Sequence, residues 1–395
     1  MDFRWNDEEL AFRDEIRAFI AENLPSNWKE QVGDTEGEER DDFERAFGKK
    51  MGERRYLAIG WPEEYGGLGW SPIQQLIFNE EMARAKAPRS FLGPGVFQVA
   101  ASLITHGTDE QKRQFLPPIA KGEERWCTLF SEPNAGSDLA SLQTAAVEDG
   151  DDFIINGQKI WSSNAHKSEH GILLARTDPD APKHKGISYF LVDMDTPGMT
   201  IQPIINMVGV HHFNAVFFDN VRIPRNRMLG PQNRGWYVAT TSLNVERSGI
   251  RFHVPMEALF DELVTFVRDS AHDNGFDPLA KHPHLRAKLA EAACKVRMSR
   301  LLSYRVAWQQ SHGSPPSYEA SLSKLVATEL AQKMTELGME VLGLYGQVGP
   351  GRGAKLRGKM DRLYRAQRAA TLGAGTSEIQ RTLIARRGLG MGQAQ

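Results

Sequence analysis

Residues 126–138 read Trp126-Cys127-Thr128-Leu129-Phe130-Ser131-Glu132-Pro133-Asn134-Ala135-Gly136-Ser137-Asp138, a short apolar run that breaks into small and hydroxyl-bearing residues. The run at 126–130 is too short for a stable helix, and Pro, Asn and Gly close it, so a strand ending in a turn is predicted. Comparable runs follow at 153–155, 171–175, 188–192, 200–205 and 215–218, each bounded by Gly, Pro, Asp or Asn. Short runs so spaced, with turn signals between them, are the pattern of a β-barrel or sandwich. Upstream the period changes. Leu10, Ile16, Phe19 and Ile20 recur at helical spacing within 7–24, behind an acidic first turn, and further helical patterns cover 41–58, 72–87 and 95–106. The stretch 29–40 is polar, 61–69 is dense in turn residues, and Thr108-Asp109-Glu110-Gln111 reads as a capped helix start. Downstream, long helical patterns occupy 236–270, 283–311, 317–342, 354–372 and 376–387. The expected fold class is α+β multidomain: an N-terminal α-helical domain over 1–122, a middle β-barrel domain over 123–232 and a C-terminal α-helical bundle over 233–395.

A chain of 395 residues has room for two or three domains at roughly 150 residues each. Its 36 Gly and 20 Pro are close to average usage, which excludes collagen and low-complexity disorder. A formal charge of −2 argues against nucleic acid or an anionic membrane as partner. Cys127 and Cys294 are too few for a disulfide scaffold or a Cys-rich metal site. His211-His212 is the one adjacent histidine pair and has no third ligand nearby in sequence, so no metal is expected. The opening Met-Asp-Phe-Arg-Trp-Asn-Asp-Glu-Glu lacks the basic-then-apolar layout of a signal peptide, and no apolar run nears the roughly 18 residues of a membrane span. A cytoplasmic protein is expected.

No G-x-G-x-x-G after a strand, P-loop, H-E-x-x-H or C-x-x-C occurs. Three other segments carry chemistry. The turn 131–138 can present backbone N–H groups and hydroxyls to a ring edge or a pyrophosphate, although an ordinary turn has the same composition. Asn156-Gly157-Gln158-Lys159-Ile160-Trp161-Ser162-Ser163-Asn164 sets a tryptophan beside two hydroxyls. Gly373-Ala374-Gly375-Thr376-Ser377-Glu378-Ile379-Gln380-Arg381 breaks a helix with glycines and caps the next.

In this order and spacing the three segments resemble the acyl-CoA dehydrogenase family, over essentially the whole chain. The resemblance implies FAD, an acyl-CoA thioester substrate and α,β-desaturation, in which a carboxylate takes the α-proton while a β-hydride passes to flavin N5. It implies an electron-transferring flavoprotein-type acceptor and an oligomer. Phe130, Ser131, Gly136 and Ser137 would then line the flavin and its pyrophosphate, with Ser137 also facing the pantetheine arm. Trp161 and Ser162 would pack along the flavin, and Ser163 would hydrogen-bond N5; the bland alternative for Trp161 is a core tryptophan. Gly375, Thr376 and Glu378 would touch FAD, and the Ala374 N–H would donate to the thioester carbonyl.

This sequence departs from the family's commonest pattern in two places. Where most members carry the catalytic glutamate, before Gly375-Thr376-Ser377, it has Ala374. Isovaleryl- and long-chain-type members place the base on the first helix of the C-terminal domain; Leu243-Asn244-Val245-Glu246-Arg247 stands there, so Glu246 is the expected base, with Asn244 and Arg247 beside the substrate. A surface glutamate paired with Arg247 is the alternative. The second departure concerns the adenine half of FAD, which the family binds with R-x-x-F-G and Q-x-x-G-G segments of a neighbouring subunit. Here these read Asp273-Asn274-Gly275-Phe276-Asp277, without the Arg, and Glu340-Val341-Leu342-Gly343-Leu344, with Glu for Gln and Leu for Gly; Arg286 replaces a following Gln. The pattern fits a hetero-oligomer with a related dehydrogenase-like chain. An acyl-CoA oxidase and a non-catalytic subunit are the alternatives. The basic stretch 352–368 is a solvated helix face or a contact for CoA phosphates or a partner's acidic face.

Overall fold

The computed structural model describes residues 4–32, 37–243, 250–270, 277–314 and 316–392, in which helices precede and follow seven strands. The chain divides into two compact units, one formed by Ala21–Trp70 and Pro88–Glu246, the other by Met1–Ile20, Ser71–Ala87 and Arg247–Gln395.

The first unit holds β1 (Trp126–Leu129), β2 (Ala145–Asp149), β3 (Asp152–Lys159), β4 (His170–Arg176), β5 (Ile187–Asp193), β6 (Met199–Ile205) and β7 (His211–Pro224). Their ladder runs β1-β4-β2-β3-β7-β6, with β5 on β4; β1 and β2 join β4 in parallel and the other pairs are antiparallel. Phe153, Ile155, Leu173, Phe190, Val216 and Phe218 meet in one core with Leu129, Ala146 and the half-buried Ile201, so all seven strands face a common interior. That is how one sheet buries one face of every strand. β2 was not read from the sequence: Ala145-Ala146-Val147-Glu148-Asp149 has few bulky apolar residues, and its pairing with β3 through a turn at Gly150 (φ 63°) defines it. In the same unit the Asp109–Lys121 helix starts with the expected cap, Thr108 and Gln111 forming a reciprocal capping box. Gly52, on the Glu38–Glu53 helix, has to be glycine, because a Cβ there would lie 2.2 Å from the Lys121 carbonyl oxygen.

The second unit is helical: Pro72–Arg84, Ile250–Ser270, His284–Ser311 and Glu319–Leu342 are its long members. Leu259, Leu263, Val296, Leu330, Met334 and Val341 form its main core. The Glu80 carboxylate is fully buried yet satisfied, by Arg13 (2.7 Å), Arg84 (2.9 Å), Arg300 (3.1 Å) and the Tyr304 hydroxyl (2.8 Å). The pattern over 236–270 is helical over Gly235–Leu243 and Ile250–Ser270, with 244–249 outside the described residues. One helical expectation is corrected. The pattern over 354–372 breaks into Lys355–Gly358, Lys359–Ala366 and Gln367–Ala369, because Leu356 (φ 46°), Arg357 (φ 57°) and Gly358 (φ 71°) turn left-handed.

Candidate functional site

β1 and β3 deliver the first two segments to one place. Where β1 ends, Phe130 stands edge-on to Tyr189 and Ser131 follows half-buried; where β3 ends, Ile160 N–H donates to the Ser131 carbonyl at 2.9 Å. Glu132 and Ala135 exchange backbone hydrogen bonds (3.0 and 3.1 Å), closing a turn that leaves Gly136 and Ser137 exposed. A Cβ at Gly136 would meet no atom within 4 Å, so the turn presents open backbone.

One ion pair fastens both loops. The Lys159 ammonium, fully buried, reaches Glu132 Oε1 at 2.8 Å and the Phe130 carbonyl at 3.0 Å. Glu132 also accepts from the Gln143 N–H (2.6 Å) and the Thr144 N–H (2.8 Å). Burial alone would raise the Glu132 carboxyl, but Lys159 and the N–H donors hold it below the usual range; burial pushes Lys159 down to about 8, against the pull of Glu132. Sequence reading missed both residues. The signal available was a lysine inside an apolar strand pattern, which needs a buried acid nearby.

Trp161 adopts φ 61°, unusual for a bulky residue, and its ring is 57% exposed with one edge on Phe213 (5.8 Å, 89°). The core-tryptophan alternative is thereby overturned. Ser162 is buried, its N–H donating to Asn214 O at 3.0 Å while its hydroxyl has no hydrogen-bond partner among the described residues; Ser163 is half-buried.

The third segment lies in the helical unit. Ala374 (φ 53°) and Gly375 (φ 84°) turn left-handed, and Thr376 caps the Ser377–Leu383 helix, its hydroxyl accepting from Ile379 N–H at 3.3 Å. Lys324, a buried lysine unforeseen in the sequence, donates to the Gly375 carbonyl at 2.7 Å, and Gln380 donates to the Ala374 carbonyl at 3.0 Å. Two buried lysines thus brace the motifs: Lys159, itself in the second, holds the first, and Lys324 holds the third. Ala374 and Glu378 are exposed. The Glu378 carboxyl is held low by its own backbone N–H at the helix start and by Thr376. Asn244, Glu246 and Arg247 lie outside the described residues, as do 273–276.

Residues at the positions where the resemblance expects the adenine-side Q-x-x-G-G segment are described. Glu340 is paired with Lys288 (2.6 Å), and Leu344 is 82% exposed beside Gly343 (φ 55°). The basic stretch is largely engaged within the unit: Arg365 with Asp361, Arg368 with Glu336, and Lys359 with Glu262. His211 stacks on His166 (3.8 Å, 17°), and among the described residues no group of three His, Cys, Asp or Glu side chains is placed to hold a metal.

The sheet unit fits a planar heteroaromatic group. A flat exposed indole, the half-buried Ser163 two residues on and an open glycine turn supply a surface for a ring and donors for its edges.

Three family descriptions match the chain in order: the acyl-CoA dehydrogenase N-terminal domain over 6–123, middle domain over 127–221 and C-terminal domain over 233–389. Acyl-CoA dehydrogenase FadE26 of Mycobacterium tuberculosis is 36% identical, with 100% of each chain covered. Among solved structures, the Tcur3481-Tcur3483 steroid ACAD has a TM-score of 0.88 at 34% identity, and the ChsE4-ChsE5 complex from Mycobacterium tuberculosis 0.87 at 34%, each with 100% of both chains covered. Helical, sheet and helical parts in this order, the three motif segments and these matches agree: the chain belongs to the acyl-CoA dehydrogenase family, flavoprotein oxidoreductases of lipid metabolism.

Proposed function

We propose that this chain carries out FAD-dependent α,β-desaturation of an acyl-CoA thioester, with Glu246 as the base. The observation that carries the reading is the exposed, left-handed Trp161 beside Ser163, tied by Ile160 to the turn that bears Gly136 and Ser137. Phe130, Ser131, Gly136, Ser137, Trp161, Ser162 and Ser163, with Gly375, Thr376 and Glu378, would hold FAD. When bound, the flavin supplies the two-electron acceptor for the hydride leaving the β-carbon.

The chain's own groups manage the proton and the charge. Loss of the α-proton builds negative charge on the thioester oxygen, which needs a fixed donor. The Ala374 N–H is suited to this: its left-handed turn is braced from below by Gln380 and, through Gly375, by Lys324, and no acceptor for that N–H is found among the described residues. Glu246 takes the proton, gaining basicity as substrate excludes water. Ser137, Asn244 and Arg247 hold the substrate. Glu246→Gln keeps the shape but cannot accept the proton, so flavin content should stay and desaturation fall by about two to four orders of magnitude. Near-normal turnover would overturn the assignment.

Electrons leave to a flavoprotein-type acceptor; peroxide formed in step with substrate use would assign an oxidase instead. Among the described residues no helix is long and apolar enough to cross a membrane, and a cytoplasmic setting belongs to the same reading. Partnership with a related chain is supported by Glu340 and Leu344 at the adenine-side positions and by relatives whose names pair two chains.

A further inference from the structure

Asn214, fully buried on β7, holds both backbone groups of Ser162 and so touches the two peptide bonds that flank it. Its N–H donates to the Ser162 carbonyl at 3.1 Å, its carbonyl accepts from the Ser162 N–H at 3.0 Å, and its side-chain Nδ2 donates to the same Ser162 carbonyl at 3.0 Å. The side chain also meets one ring nitrogen of each of two imidazoles that stack on each other: His211 Nε2 is 2.7 Å from Asn214 Oδ1, and His166 Nδ1 is 3.1 Å from Nδ2.

These contacts fix the orientation of the amide and the protons on the ring nitrogens that face it. A carbonyl can only accept, so the Asn214 atom facing Ser162 is the amide nitrogen, and the amide cannot flip without setting oxygen against oxygen. His211 must then donate from Nε2. The second amide hydrogen requires an acceptor at His166 Nδ1, so His166 is neutral with its proton on Nε2. Burial is the main cause holding His166 down, to about 4, with His211 and Lys167 adding to it. The ionisable groups around His166 are His211 and His212 of β7 and the adjacent Lys167; β6 carries none and β1 only the buried Cys127.

Because a trans peptide is planar, its C=O and N–H point in opposite directions. A side chain that fixes the Ser162 carbonyl therefore also aims the Ser163 N–H and starts the Ser163 side chain from a set direction. We propose that Asn214 is a positioning residue for the Ser162–Ser163 peptide at the flavin, and that His166 and His211 lock its amide in the working orientation. The inference rests on the reading that Ser163 faces the flavin. It adds a support that touches neither flavin nor substrate.

The test compares FAD-loaded Asn214→Ala, His166→Leu, His166→Gln and Ser163→Ala proteins by the visible band and midpoint potential of bound flavin, the hydride-transfer rate and substrate affinity. Asn214→Ala should shift band and potential and slow hydride transfer by roughly ten- to a hundredfold with substrate affinity kept, as a displaced donor does. His166→Leu, which removes the acceptor, should move the same readouts in the same direction. His166→Gln can accept through its amide oxygen and should follow the wild type. An unchanged band and potential in His166→Leu and in any Asn214→Ala that folds would overturn the inference; if Asn214→Ala does not fold, the His166 pair decides. Should Ser163→Ala also leave the flavin unchanged, the placement of Ser163 itself is wrong; should Ser163→Ala alone perturb it, only the role of Asn214 falls.

Discussion

Lys159 and Glu132 do for the loops after β1 and β3 what no exposed pair could, because each is buried and each satisfies the other along with backbone groups. Removing one partner strands the other charge in a low-dielectric interior. Lys159→Met should therefore cost about 3–5 kcal/mol of unfolding free energy. In denaturant melts, a loss below about 1 kcal/mol would mean that water reaches Glu132. The double change Lys159→Met with Glu132→Gln should recover part of the loss, since no bare charge remains. A second buried group gives a pH signature. Burial opposes the charge on His170, but Asp193 at 2.8 Å and Glu124 at 3.2 Å outweigh it and raise the imidazole to about 9. A folded value above the unfolded one means the stabilisation is complete below roughly pH 6.5 and is lost as pH rises through 9. The ceiling is about 3 kcal/mol, reduced because Asp193 is partly solvated. Chemical melts from pH 6 to 9.5 should show this fall, and His170→Gln should flatten it. An equal slope in the variant would assign the fall to other groups.

Whole elements were legible where a local signal determines them, and illegible where pairing or backbone handedness does. The Thr108 cap, the strand periodicity and the long helices His284–Ser311 and Glu319–Leu342 follow from composition and period, which are short-range properties. β2 did not, since its pairing with β3, not its own residues, makes it a strand. The break at 356–358 did not either, because Leu and Arg are ordinary helix formers until tertiary contacts force a left-handed turn. Among candidate site residues, the three segments proposed to hold the flavin were readable as motifs. Their supports, Lys159, Lys324 and Asn214, were not, because each acts on a residue far away in sequence. The Thr376 cap is one place where sequence and structure meet: its hydroxyl ends the third segment and begins the Ser377–Leu383 helix. Thr376→Ala should lower stability by about 1 kcal/mol, whereas Thr376→Ser should restore it. Equal stability in the alanine variant would show that the helix start is held by Lys324 and Gln380 alone.

For the whole molecule, the proposed mixed oligomer turns on which chain completes the proposed FAD site. On the proposed reading the segments that would hold the flavin ring are present and anchored, whereas the segments expected at the adenine carry Glu340 and Leu344 where a Gln and a Gly are usual. In a symmetric oligomer each site would receive these same residues from a second copy. A carboxylate about 4 Å from a phosphate is unfavourable by roughly 1–4 kcal/mol in partly screened surroundings. Lys288, 2.6 Å from Glu340, offsets part of that, so the defect is milder than the sequence alone implies. Leu344 adds a steric one, since a side chain stands where close backbone approach is wanted, and its high exposure leaves it free to obstruct a ligand from another subunit. The chain expressed alone should thus purify with FAD well below one per chain. Co-expression with a related chain bearing the Arg and Gln–Gly–Gly segments should bring the flavin to stoichiometry in a mixed oligomer. Glu340→Gln with Leu344→Gly should raise the FAD content of the lone chain by removing both defects together, and Lys288→Ala, which uncovers the Glu340 charge, should lower it. Tightly bound, stoichiometric FAD in the unaltered chain alone would defeat the mixed-oligomer reading and leave Arg286 as the replacement donor to test next.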